Sequence, residues 1–162
     1  MDLMSVFSRT GGVPPKDRHV SRIEMRAQEL ERQAKKLNMP YNLKPSYFPV
    51  NMAPSSYAFI SASRHGDGDL GALAFGLTRA VWAENKDISD PKVISECLKT
   101  AGFDGDLADK DMLGAAEQYS KNTEEAVASG VFGAPFYITD TDKRFWGQDR
   151  LEDLDLTLSG AL

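Results

Sequence analysis

Apolar residues recur at three- and four-residue intervals through most of the chain. Between about His19 and Leu37, the positions Ile23, Ala27, Leu30, Ala34 and Leu37 make one stripe, predicting an amphipathic helix with that face on a core. Asn38 and Pro40 stop it. Pro54 opens a short helix that continues through Tyr57 to Ser63. Asp69 is placed to cap a helix from Leu70 to about Glu84, with Leu73, Leu77, Ala80 and Val81 inward. Ser89 or Asp90 caps the next, which has Pro91 in its first turn and ends at Gly102. A long helix from about Lys110 to Ser129 closes at Gly130.

The period changes only near the end. Pro135 to Thr139 and Lys143 to Trp146 read as strands joined by the turn DTD, and a last helix runs from about Gln148 to Leu158. The stretch SRTGGVPPKDRH, broken by Gly11, Gly12, Pro14 and Pro15, reads as loop, and YNLKPSYFPVNMAP as extended or irregular. A lone hairpin is marginal in water, so Phe136, Ile138, Phe145 and Trp146 call for helices to cover them or for further strands. No other strand is legible upstream.

Composition narrows the function classes. The chain is 41% hydrophobic and 27% charged with a net charge of −5, as expected of a globular domain without a general nucleic-acid surface. No apolar run reaches the length of about 18 residues that a membrane span needs. The opening MDLMSVFSRTGG lacks a basic stretch before a long apolar core, so no signal peptide is expected. Cys97 is the single cysteine, which rules out an internal disulfide and a CxxC pair; its spacing with Val93, Ile94 and Leu98 reads as a small buried residue. With only His19 and His65 as histidines, no metal cluster is expected.

Two places carry candidate chemistry. Pro135 has no N–H for a ladder, so it either starts an edge strand as a trans proline or follows a cis Ala134–Pro135 bond. A cis bond would turn the Ala134 N–H and C=O outward, where they could grip an extended peptide. The helix start at GQDR gives Asp149 two readings. It caps the helix and complements its dipole, or it takes an α-ammonium while the free N–H groups take a carboxylate. The latter suits the zwitterionic end of an amino acid.

The run SGVFGAPFYIT followed by FWGQDRL closely resembles the 2-hydroxychromene-2-carboxylate isomerases, relatives of the kappa-class glutathione transferases in the DsbA-like branch of the thioredoxin fold. GGVPP looks like the family's loop after its second strand. SRIEMRAQELERQAKKLNMPY looks like its first inserted helix, and PSYFPVNMAPSSYAFISA like its Phe-Pro-x-Asn segment. The resemblance covers nearly the whole chain. It implies an α/β, thioredoxin-like (DsbA-like) domain with a large inserted helical domain. Residues 1–18 would be a loop remnant of the first, 19–129 the insert, and 130–162 the β-hairpin and helix that complete the first. Because the family's first strand-helix-strand unit has no counterpart here, the chain is expected to be mostly helical.

For function, the resemblance implies glutathione as cofactor. Ala134 and Pro135 would hold its cysteinyl unit through the backbone, and Gln148 and Asp149 its γ-glutamyl end. The family's catalytic serine lies on a turn of the unit that would precede residue 1, by about 30–40 residues from the length of such a unit, and no serine here replaces it. Gly12 stands where the family has a polar residue, often Asn. Arg22 falls near a family lysine and would serve a carboxylate of glutathione or substrate, or is simply a solvated helix residue. Asn51 lines the substrate site or only caps the chain before Pro54. The implied reaction is cis–trans isomerisation of an aromatic carboxylate, through reversible addition of the glutathione thiolate to a conjugated carbon. The alternatives are a kappa-class-like glutathione transferase or peroxidase, and a catalytically dead helical binding module. The family further implies a homodimer, and the lack of a dithiol removes the rationale for a periplasmic home, so a cytoplasmic one is expected.

Overall fold

Asp2 caps the first element of the chain. Its carboxylate accepts from the N–H groups of Met4 and Ser5 and starts α1 (Leu3–Arg9) in a computed structural model that describes residues 1–162. Residues 1–18, expected as loop, therefore hold a helix followed by a 3-10 turn at Pro15–Asp17. Val6 and Phe7, three and four positions after Leu3, are buried, so the helical period was present in a segment whose glycines and prolines dominate the eye.

The chain forms two compact units, one of Met1–Asp17 with Lys121–Leu162 and one of Arg18–Ser120. The second is all helical. It holds α2 (Val20–Lys36), α3 (Ala53–His65), α4 (Leu70–Trp82), α5 (Pro91–Thr100), the single turn α6 (Leu107–Lys110) and the start of α7 (Met112–Ala128). Its core joins Ala58 and Ala62 of α3, Leu73 and Leu77 of α4, Ile94 and Leu98 of α5, and Phe103 and Leu107. The caps follow from local chemistry. Asp69 accepts from the Ala72 N–H and Asp90 from the Lys92 N–H, with Pro91 and Pro54 in first turns where a missing N–H leaves no bond unmade. Asn38 ends α2 in the left-handed region at φ 50°.

Two elements differ from the periodicity reading. The long helix expected from about Lys110 to Ser129 is present as α7, and the single turn α6 before it, set off at Asp111, is an addition to that reading. α2 has the predicted stripe, yet none of its residues is buried; Leu30 and Ala34 are half-covered and Leu37 is 60% exposed. The stripe faces α4 without closing on it.

In the other unit, Val6, Phe7 and Val131 are the buried apolar side chains. The Arg9 guanidinium holds the Glu124 carboxylate in a two-point pair at 2.6 and 2.8 Å, and the Asp2 N–H donates to the Thr123 hydroxyl at 2.7 Å. Here β1 (Phe136–Ile138) and β2 (Arg144–Trp146) pair antiparallel with Tyr137 opposite Phe145. Asp142, at φ 59°, makes the turn between them. A 3-10 turn (Gln148–Arg150) leads into α8 (Leu151–Leu158). The chain is thus mostly helical with a two-stranded sheet, as expected. No helix is long and apolar enough to cross a membrane.

Candidate functional site

The hairpin supplies the scaffold. Phe132 stacks edge-on against both Phe136 (5.1 Å between ring centroids) and Trp146 (5.0 Å), which pins the segment before β1 to the end of β2. The Ala134–Pro135 bond between these aromatics is cis, the sharper of the two readings of Pro135. A second cis bond, Phe48–Pro49, had no sequence signal to separate it from the other X–Pro bonds. Ala134 is exposed, and its N–H and C=O make no hydrogen bond within the chain. The Pro135 C=O instead accepts from the Gly147 N–H at 3.1 Å.

That bond brings the two predicted halves together. Directly after Gly147 come Gln148 and Asp149, both exposed in the 3-10 turn. Gly147 sits at φ 115°, where a side chain is strained, and a Cβ there would lie 2.3 Å from the Asp149 Oδ1. The carboxylate therefore folds back over a residue that must be glycine.

Asp149 does not act as expected on the helix itself. No side chain caps this turn or α8. The Asp149 carboxylate accepts from the Arg150 guanidinium at 3.0 Å, and Arg150 also reaches Asp153 at 3.2 Å. The N-cap positions fall on Gly147 and Arg150, so Asp149 stands inside the turn rather than at a cap. Both partners are about half exposed, so the pair is screened and readily exchanged for another cation.

Arg22 and Asn51 belong to the other unit. Arg22 is exposed on the first turn of α2 and has no ion-pair partner. The Asn51 side-chain oxygen accepts from the Ala53 N–H at 3.1 Å, which is the capping role of the two readings. Gly12 has a packing reason: a Cβ there would stand 2.1 Å from the Phe7 ring and 2.7 Å from the Phe132 carbonyl oxygen. The polar side chain usual in the resembled family has no room at this position. Cys97 is half-buried against the helical core, and burial pushes its thiol up from the ordinary range, so it is a poor nucleophile.

Sequence reasoning passed over Arg26, one turn after Arg22, and Trp82. The guanidinium of the first lies 5.9 Å from the ring centroid of the second. Their separation in sequence left no local signal, although the four-residue step from Arg22 to Arg26 was visible.

Residues 1–159 match the family model described as a DSBA-like thioredoxin domain. The chain is similar to a 2-hydroxychromene-2-carboxylate isomerase from Sphingobium xenophagum, with 28% identity over 158 residues, 96% of this chain and 78% of that protein. A solved 2-hydroxychromene-2-carboxylate isomerase structure superposes with a TM-score of 0.78 at 22% identity, over 99% of this chain and 78% of that one.

Proposed function

Because the chain belongs to the DSBA-like thioredoxin domain family, we infer that it is an isomerase of the 2-hydroxychromene-2-carboxylate type that works with glutathione. The relative from Sphingobium xenophagum supports the reaction class. The observation that carries the site is the Gly147-to-Pro135 hydrogen bond, which sets the Ala134 backbone beside the Gln148–Asp149 turn.

The groups present fit a γ-glutamyl tripeptide. Ala134 offers an exposed donor and acceptor with no partner in the chain, the pattern an extended peptide pairs with. The Gln148 amide suits the α-carboxylate of the γ-glutamyl end. The Asp149 carboxylate suits its ammonium, in exchange for the weakly held Arg150. Bound glutathione supplies a thiolate that adds reversibly to a conjugated double bond and so permits its rotation.

Retention on immobilised glutathione tests the site. The full chain should be held and eluted by free glutathione. Asp149→Ala removes one charged hydrogen bond and should weaken retention about tenfold. Equal retention of both proteins, at equal helical content by circular dichroism, refutes the assignment. Turnover of 2-hydroxychromene-2-carboxylate, compared with conjugation of an electrophile, separates the isomerase from a transferase.

A further inference from the structure

Three hydrogen-bond donors stand in a row on α5. Lys92, Ser95 and Lys99 fall at i, i+3 and i+7, so they share one face of the helix. Ile94 and Leu98 turn into the core beside them, which fixes the direction of the row. Across from it is the single turn α6. Leu107 anchors that turn in the core, and Asp106 at its start and Asp109 within it stay exposed.

Both rows border one cavity of about 610 Å³, entirely within residues 18–120. Tyr57 of α3, Ile94 and Met112 give it apolar lining. The volume is in the range of sites for small organic molecules. Lys99 is set in place by a glycine. A Cβ at Gly105 would stand 2.3 Å from the Lys99 Cε and 2.6 Å from the Ser95 Oγ, so the lysine stem and the hydroxyl both lie against bare backbone.

The charges of this region divide in two. Lys110 is held by Asp104, and Glu96 on the cavity rim faces Lys86, which Glu84 also holds. Lys92, Lys99, Asp106 and Asp109 have no ion-pair partner, and all four line the cavity. Cations on one wall and carboxylates on the other thus face a shared space without pairing, and both signs are open to a ligand.

We propose that this cavity binds a short apolar peptide with free termini. Its carboxylate lies on Lys99 and Ser95, its ammonium on Asp106 and Asp109, and its side chains against Tyr57, Ile94 and Met112. A simple anion would leave the carboxylates unanswered and meet their repulsion, and an amine would meet that of the lysines. The proposal does not rest on the glutathione reading, whose residues Ala134, Pro135, Gln148 and Asp149 lie in the other unit.

Leucyl-leucine is the probe. Leucyl-leucinamide and N-acetyl-leucyl-leucine each lack one of its charges, and glycyl-glycine lacks its side chains. Titrated into the full chain by calorimetry, leucyl-leucine should bind one-to-one. Each of the other three should bind at least about tenfold more weakly, the worth of one charged contact or of the apolar burial. Lys99→Gln should abolish the penalty of the amide and keep that of acetylation. Asp106→Asn combined with Asp109→Asn should do the reverse. These side chains are exposed, so both variants should keep the helical content of the parent by circular dichroism. Amide-proton shifts on the unmodified chain should cluster in residues 54–57, 92–99 and 105–112. Excess glutathione should not displace the dipeptide. An amide that binds as tightly as the probe marks a site for amines, and an acetylated form that does so marks a site for anions; either overturns the proposal. So do shifts centred elsewhere, displacement by glutathione, or no saturable binding.

Discussion

At the scale of single residues, what decides this chain is where a side chain has no room and where a neighbour intervenes. Gly12 is the first case. A methyl there would press on the Phe7 ring and, more seriously, on the Phe132 carbonyl, which is backbone and moves only with its segment. Gly12→Ala should destabilise the protein by about 1–3 kcal/mol, in the range of overpacking. A lower urea midpoint with unchanged slope is the expected result; an unchanged midpoint would mean that the segment yields freely. Asp149 is the second case. From the sequence it is a fitting helix cap, whereas in the folded chain it stands inside the turn and its carboxylate accepts from Arg150. The dipeptide Ala134–Pro135 and the acidic turn after Gly147 were legible because proline fixes the backbone and glycine opens conformations closed to other residues, and a sequence records both. The role of Asn51 was legible only as a choice between two, since an Asx turn and a ligand contact use the same oxygen.

Elements were legible where their signals are local. The caps at Asp69 and Asp90, the left-handed stop at Asn38 and the hairpin turn all depend on neighbours within four residues. α1 was not read as a helix. A helix of seven residues has little stability of its own. It is held by ties to residues more than a hundred positions away, Thr123 and Glu124. The Arg9 hydrogen bond, and then its charge, hold the Glu124 carboxylate below the usual range. The sign follows: a carboxylate with a depressed folded pKa contributes stability above its unfolded pKa and loses it as pH falls through the folded value. Acidification below the ordinary carboxylate range should therefore release α1 first. Amide hydrogen exchange in residues 3–9 should accelerate there, and Glu124→Gln should give the same acceleration at neutral pH. Because the pair is exposed, the effect should also shrink with salt. Exchange that is indifferent to both pH and the substitution would show that Val6 and Phe7 alone hold the helix.

At the scale of the whole molecule, chain continuity and core formation coincide in one of the two units. Residues 18–120 are a single stretch that contains the entire cluster from Ala58 to Leu107. Among the buried apolar side chains, only Val6, Phe7 and Val131 lie outside it. The other unit is assembled from two separated stretches around a two-stranded hairpin, which is marginal by itself. A continuous piece of about a hundred residues with one core is in the size range that folds alone, whereas a discontinuous one must first close a long loop. The helical stretch was readable from periodicity because each apolar stripe turns onto one shared core, formed by α3, α4, α5 and α6 within one continuous stretch. Expressed alone, residues 18–120 should therefore show a helical circular dichroism spectrum and a single cooperative thermal transition. Residues 1–17 joined to 121–162 by a flexible linker should not. A non-cooperative melt of the 18–120 fragment would mean that its core depends on the hairpin unit, and that the two units unfold as one.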